Sequence, residues 1–320
     1  MGRHMELFRY VLPDGILDDS FILQKEVIYK GTNGKFIERF VIQTDHGPQS
    51  YIFKPLTNVE TMGREPWAHT EILPLVPQIR SPQILARADH CNPDRYWAIL
   101  EDFGTLSHDL SEADLVRAAG VVPYWHELSL HLVSESFTGN KPKVEIALQT
   151  VRYKWNNVES ILQTYGINEA VIAKFHLALN HVPSSFFQEM VVSHGDFHRG
   201  NIAIKDGSLI VLDWEHVHQN SPYWDLYNLI DITHPVIRRN TTQMSRAAAL
   251  QAYFSKRAEF GWKSSKAEFI AQYHLYSSIY SAWMLLLIEA DLRKGVFQVN
   301  DLKEAEKETL NSMVECMLHI

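Results

Sequence analysis

The character of the chain changes at Gly104, and that change limits what it can fold into. Before it, segments 25–30, 36–43, 50–54 and 96–101 are rich in β-branched and aromatic residues and read as strands. Gly31-Thr32-Asn33-Gly34 and Asp45-His46-Gly47-Pro48 are turn signals between them. One helix is expected over 59–73, ended by Pro74, with Pro66 as a candidate for its true first turn. After Gly104, apolar residues fall at helical spacing near 111–132, 144–164, 168–180, 241–258, 265–292 and 301–318. Two short strands, 201–204 and 209–212, interrupt the helices. Asp206-Gly207 lies between them, and glycine accepts the positive φ that a two-residue hairpin turn requires. The expected architecture is α+β: a small antiparallel β lobe with one helix over 1–101, and a larger, mostly helical lobe carrying one hairpin over 102–320.

Bulk properties narrow the function classes. At 320 residues with 46% hydrophobic and 21% charged side chains, the composition is that of an ordinary globular protein. The longest clean apolar run, 282–288, is far short of the roughly 20 residues a membrane-spanning helix needs. Met1-Gly2-Arg3-His4-Met5 has no signal-peptide pattern and reads as a cloning remnant ahead of a native Met5. Only two cysteines occur, Cys91 and Cys316, far apart, which points to a reducing, cytoplasmic compartment and excludes a cysteine-built zinc site. The formal net charge is −8 and no basic run is present, so a nucleic-acid partner is not expected. Residues 191–235 carry six acids (Asp196, Asp206, Asp213, Glu215, Asp225, Asp231) against Arg199 and Lys205, which is half the net charge in one short segment. Such an excess suits a bound cation, a cationic substrate, or a solvated acidic face.

The same segment holds the motif that carries chemistry: Ser193-His194-Gly195-Asp196-Phe197-His198-Arg199-Gly200-Asn201, the hairpin, then Asp213-Trp214-Glu215. Phosphoryl transfer to a hydroxyl needs a carboxylate beside the attacking oxygen, oxygen ligands for Mg²⁺, and a cation on the phosphates that are not transferred. Asp196 stands on a loop and Asn201 at the start of the first hairpin strand. Asp213 follows the second strand, so the hairpin is expected to return it to the neighbourhood of Asn201. One amide oxygen and one carboxylate could then share a metal. The H-x-D-x-x-x-x-N spacing is also the catalytic-loop pattern of protein kinases.

With those residues, the chain resembles the aminoglycoside phosphotransferase and choline kinase-like family, whose fold is bilobal and protein-kinase-like, and the resemblance extends over almost the whole sequence. It implies Asp196 as catalytic base, His194 holding the loop, and Asn201 and Asp213 as Mg²⁺ ligands. It places Lys54 on the α/β-phosphates, Glu65 in Gly63-Arg64-Glu65-Pro66-Trp67 as its partner (Glu71 competing), and Asp225 as the brace of the catalytic loop. Glu101 and Phe103, in Ile99-Leu100-Glu101-Asp102-Phe103-Gly104, would offer backbone groups to the purine of ATP or GTP. Two departures are visible. Lys30-Gly31-Thr32-Asn33-Gly34-Lys35 is not a G-x-G-x-x-G loop, and His198 stands where many protein kinases have lysine, so His198 or Arg199 is left to meet the γ-phosphate.

The function implied is a small-molecule kinase acting on a hydroxyl of a small, cationic acceptor, with antibiotic-type acceptors favoured. Choline, homoserine or a sugar are alternatives, as is a non-catalytic, spore-coat-type relative. A protein kinase is disfavoured because Pro222 follows Glu215 too closely for an activation loop. A histidine metal site from His194, His198, His216 and His218 is disfavoured because 216–218 is expected to run away from the metal aspartate. Trp67, Trp125, Trp155, Trp224 and Trp283 are expected in packing roles. The sequence carries no signal for oligomeric state.

Overall fold

The structure is a computed structural model in which residues 7–31, 33–88, 90–234, 239–295 and 297–320 are described. The Met1–Met5 segment and Thr32 of the first expected turn lie outside the described residues. The chain divides into two compact units, one of residues 1–107 and 204–216, the other of 108–203 and 217–320.

The first unit is built on a five-stranded antiparallel sheet: β1 (Gln24–Lys30), β2 (Phe36–Thr44), β3 (Gly47–Pro55), β4 (Ile84–Ala88) and β5 (Trp97–Glu101), in the order β1-β2-β3-β5-β4. β4 has no counterpart among the expected strands. It is short, alanine-rich and at the sheet edge, where β-propensity is a weak guide. Alternation along β3 and β5 sends Phe53 and Ile99 into a core with Phe40, Ile42, Trp97, Leu7, Tyr10 and Leu17. The same alternation turns Lys54 to the opposite face.

The helix expected over 59–73 is instead three pieces: a 3-10 turn at Val59–Thr61, helix α1 at Arg64–Glu71, and a second 3-10 turn at Leu73–Leu75. Pro66 falls in the first turn of α1, where its missing N–H costs nothing. The hairpin pairs Ile202–Lys205 with Ser208–Val211. Asp206 (φ 50°) and Gly207 (φ 70°) make the tight turn that this dipeptide signalled. Arg80 N–H donates to Leu209 O at 2.9 Å and Val211 N–H to Arg80 O at 2.8 Å, which ties the second hairpin strand to this unit.

The second unit is helical: α2 (Glu112–Val121), α3 (Pro123–His126), α4 (Val144–Tyr153), α5 (Trp155–Thr164), α6 (Glu169–Asn180), α7 (Tyr223–Ile230), α8 (Gln243–Glu259), α9 (Lys266–Lys294) and α10 (Val299–Met317). Pro123 divides the first expected helix and Lys154 the second, local breaks that leave the apolar period intact. α2 opens with a capping box between Ser111 and Asp114. At the end of α7, buried Asp231 accepts from Arg246 of α8 (2.7 Å), Tyr273 and Ser277 of α9 (2.7 and 2.9 Å) and Ser312 of α10 (2.7 Å). One carboxylate thus fastens four helices. A short antiparallel pair, Val191–Ser193 with His218–Asn220, sets His218 opposite Ser193. The segment after 216 thus joins the root of the 193–201 loop. None of the described helices is long and apolar enough to cross a membrane.

Candidate functional site

In the first unit, three carboxylates converge on one ammonium. Lys54 Nζ lies 2.7 Å from Glu65 Oε2, 2.7 Å from Asp213 Oδ1 and 3.2 Å from Glu215 Oε2. Lys54, near the end of β3, meets Glu65 in the first turn of α1, whereas Glu71, a turn and a half later, is exposed. Asp213 arrives at the end of the hairpin with φ +61°, one of two non-glycine residues in the left-handed region among those described. Such a backbone costs energy and persists where the surroundings enforce it.

Burial alone would lower the Lys54 pKa, but Asp213, Glu215 and Glu65 together hold it well above the ordinary value. Burial raises Glu65 and Glu215 against the opposing pull of Lys54. The three carboxylates, with ligand oxygens within 4.8 Å of one another, are hard donors without Cys or His, a set that fits Mg²⁺.

Replacing Lys54 with Met removes the only ammonium among them, and Glu65 and Glu215 are then expected to titrate higher still. Groups raised in the folded state support stability below their unfolded pKa and lose that support as pH rises through the folded value. The stability deficit of Lys54→Met should therefore grow from pH 4 to pH 7, as read by urea denaturation at each pH; a deficit independent of pH would contradict the geometry.

Asp102, at the end of β5, is held by Arg39 (Nε to Oδ2, 2.8 Å) and Ser50 (2.5 Å), and it accepts from Gly104 N–H at 2.7 Å. Glu101 N–H donates to Gln83 O at 2.9 Å. Phe103 is buried, with the Arg80 guanidinium 4.6 Å from its ring centroid. Segment 101–104 is thus held by both backbone and side-chain contacts.

In the second unit, the 193–201 loop hangs on Asp225, which is fully buried. Its carboxylate accepts from Ser193 Oγ (2.7 Å), His194 N–H (2.9 Å), Gly195 N–H (3.1 Å), Trp125 Nε1 (2.9 Å) and His126 Nε2 (3.1 Å). Burial would raise the Asp225 pKa, but these donors, His126 first, hold it far below the carboxylate range. Burial lowers the His126 pKa, so it stays neutral, its Nδ1 accepting from Tyr253 OH at 2.9 Å. Gly195 (φ +86°) makes the turn that presents both N–H groups, and its carbonyl accepts from Trp224 Nε1 at 2.9 Å.

Asp196 follows on that anchored loop, half-buried. Its N–H meets His194 Nδ1 at 3.3 Å. Asn201 Nδ2 donates to its carbonyl at 2.9 Å and to Oδ2 at 3.2 Å, Asn140 Nδ2 donates to Oδ1 at 3.2 Å, and His198 Nε2 lies 3.3 Å from Oδ2. His198 Nδ1 accepts from Gly200 N–H at 3.0 Å, which places the ring proton on Nε2, facing Asp196. The Asn201 amide nitrogen is engaged by Asp196. Arg199, by contrast, is buried and turned to Leu110 O and Thr241 Oγ1.

The expected residues thus fall into two groups: Lys54, Glu65, Glu101, Phe103 and Asp213 in the first unit, and His194, Asp196 and Asn201 in the second. Trp125, His126, Asn140 and the ion pair of Glu215 were not anticipated. Nothing local marks them, because each acts on a partner tens of residues or more away.

The profile of the phosphotransferase enzyme family matches residues 97–267, more than half the chain. No curated protein sequence matches it. Among solved structures, the chain is similar to a putative aminoglycoside phosphotransferase from Ralstonia eutropha (12% identity, covering 99% of this chain and 96% of that one, TM-score 0.59). It is also similar to a choline kinase from Cryptosporidium parvum (12%, 98% and 94%, 0.56) and to the macrolide 2′-phosphotransferase MphH from Brachybacterium faecium (16%, 92% and 93%, 0.52). At these identities the likeness is one of fold, and the fold is the α+β, protein-kinase-like fold of these phosphotransferases. With the family profile covering the 193–201 loop, the hairpin and Asp225, the chain belongs to the phosphotransferase enzyme family.

Proposed function

We propose that this chain transfers the γ-phosphoryl group of ATP or GTP to a hydroxyl of a small molecule inside the cell, with Asp196 as the base. The observation that carries this reading is the setting of Asp196: a half-exposed carboxylate on a loop fixed by a buried aspartate, oriented by amide donors from Asn201 and Asn140. A base must be held in place and still reach its substrate, and this one is.

In the mechanism, Asp196 orients the acceptor hydroxyl and takes its proton as the oxygen attacks. His194 and Asp225 keep the loop in shape and exchange no proton with substrate. Lys54 binds the α/β-phosphates, poised by Glu65. The Glu101 carbonyl and Phe103 N–H meet the purine edge, since the Glu101 N–H is already committed to Gln83. Asn201 and Asp213 would hold Mg²⁺, and Glu215 shares the Lys54 ammonium with Asp213. That ion would supply neutralisation of the charge developing on the phosphate oxygens. Of the two candidates for the γ-phosphate, His198 fits, because Arg199 is buried in helix packing.

Thermal shift tests the nucleotide half. Mg²⁺ with ATP or GTP is expected to raise the Tm of the wild type, and Asp213→Ala should reduce that rise to the level of nucleotide without metal. An undiminished rise in the variant would remove Asp213 from the metal site.

A further inference from the structure

The acid excess of residues 191–235 motivated a cationic acceptor, and the structure accounts for that excess differently. Asp206 is an exposed turn residue of the first unit, and Asp213 and Glu215 are engaged by Lys54. Asp225 is buried under the loop and Asp231 is buried on Arg246. The sixth, Asp196, stands half-buried on the 193–201 loop, held by Asn201, Asn140 and His198. Among the described residues, the grouping of three acids is Glu65, Asp213 and Glu215, in the first unit and not around Asp196. A polyamine-binding surface would require several unpaired carboxylates.

The groups that flank Asp196 within its own unit are of the other kind. Asn140 donates to it, and Lys141 is the next residue. His198 Nε2 faces its Oδ2, and the His234 ring lies nearly parallel to His198 with centroids 6.2 Å apart. Burial first, then His198 and Lys141, lower the His234 pKa against the opposing pull of Asp196. The segment carrying Asn140 and Lys141 is anchored at both ends. Gln219 Nε2 donates to Leu130 O (3.1 Å) and Val133 O (2.8 Å), and Tyr280 OH donates to Pro142 O. These donors are therefore held at the base and do not drift as a loop tip would.

Resting on the kinase reading above, we propose that the acceptor is an anionic hydroxyl compound, bearing a carboxylate or phosphate near its reactive hydroxyl, and that Lys141 recognises this anion. Asn140 supplies a neighbouring hydrogen-bond donor. Lys141 is a specificity residue with no part in the transfer itself. The balance of the reaction is that of any kinase: the acceptor oxygen bonds to the γ-phosphorus, the bond to the β-phosphate oxygen breaks, and the hydroxyl proton passes to Asp196.

The test uses the full chain and four probes: gluconate, glucose, glucosamine and spermidine. Each is titrated while the imidazole NMR signals of His198 and His234 are followed, in the wild type, in Lys141→Gln and in Lys141→Glu. Gluconate is expected to move these signals at concentrations about fivefold or more below those needed for glucosamine. Lys141→Gln should level that preference and Lys141→Glu invert it. A wild type that answers to glucosamine or spermidine at equal or lower concentration overturns the proposal, as does an order unchanged in Lys141→Glu or silence toward gluconate. Failure of the underlying kinase reading looks different: gluconate binds in the expected order, yet no nucleoside diphosphate forms from Mg²⁺-ATP with any probe. Faster turnover of glucosamine than of gluconate would keep the kinase and remove the anion.

Discussion

Asp196→Asn is expected to lower kcat by about 10³-fold, the range over which a positioned general base contributes. The substitution keeps the shape and leaves an amide oxygen that can still accept from Asn201 or Asn140, which now donate to the carboxylate. It removes the charge and the basicity that draw the proton from the acceptor. Stability should change by no more than about 0.5 kcal/mol, because Asp196 is only half-buried and its loop is anchored elsewhere. Turnover with a responding acceptor, beside a urea melt of the same preparation, separates the two effects. A variant with near-wild-type kcat would remove Asp196 from the base role.

The second large effect is on folding. Asp225→Ala leaves the donors of Trp125, His126, Ser193, His194 and Gly195 buried around a vacated carboxylate. Stranding buried donors around a lost charge costs about 3–5 kcal/mol, and the loop that carries Asp196 should lose its shape with it. Asp225→Asn discriminates electrostatics from packing. The folded pKa of Asp225 is held below its unfolded value, so the ionised form contributes stability above about pH 4 that is lost as pH falls toward the folded value. Wild-type stability should therefore fall progressively as pH drops below about 4 toward the folded value, and the Asp225→Asn profile should be flatter across that range. Parallel profiles would mean that Asp225 is not the ionised anchor described here.

What the sequence disclosed and what it withheld follow one physical division. Features written in consecutive residues were legible. Asp206-Gly207 signalled a hairpin, β-branched and aromatic residues signalled β2 and β3, and helical spacing marked the helices of the second unit other than α7, including most of α9 and α10. Breaks were less legible: Pro123 and Lys154 divide helices whose apolar faces continue through the interruption. β4 was invisible because an alanine-rich edge strand has little propensity of its own.

Partnerships across long separations were not legible from spacing. Glu65 was distinguished from Glu71 only by resemblance, yet the coordinates put Glu65 2.7 Å from Lys54. Trp125 and His126 look like core residues in the chain, and they are, but their ring nitrogens reach Asp225 a hundred residues on. Charge was the least specific guide. Six acids in one segment suggested a bound cation, a cationic substrate or a solvated face, and counting charge along a chain does not reveal which carboxylates are already matched by Arg246, Lys54 or buried donors. That distinction belongs to tertiary structure.

The central claim is phosphoryl transfer to a hydroxyl, and ³¹P NMR of the wild-type chain with Mg²⁺-ATP and a panel of hydroxyl acceptors tests it most directly. The panel should include sugars, hydroxy acids, choline, homoserine, aminoglycosides and macrolides. The account predicts a new phosphomonoester resonance that grows in step with ADP for one class of acceptor and is absent with Asp196→Asn. Inorganic phosphate as the sole product, or a phosphomonoester formed equally by Asp196→Asn, would contradict it.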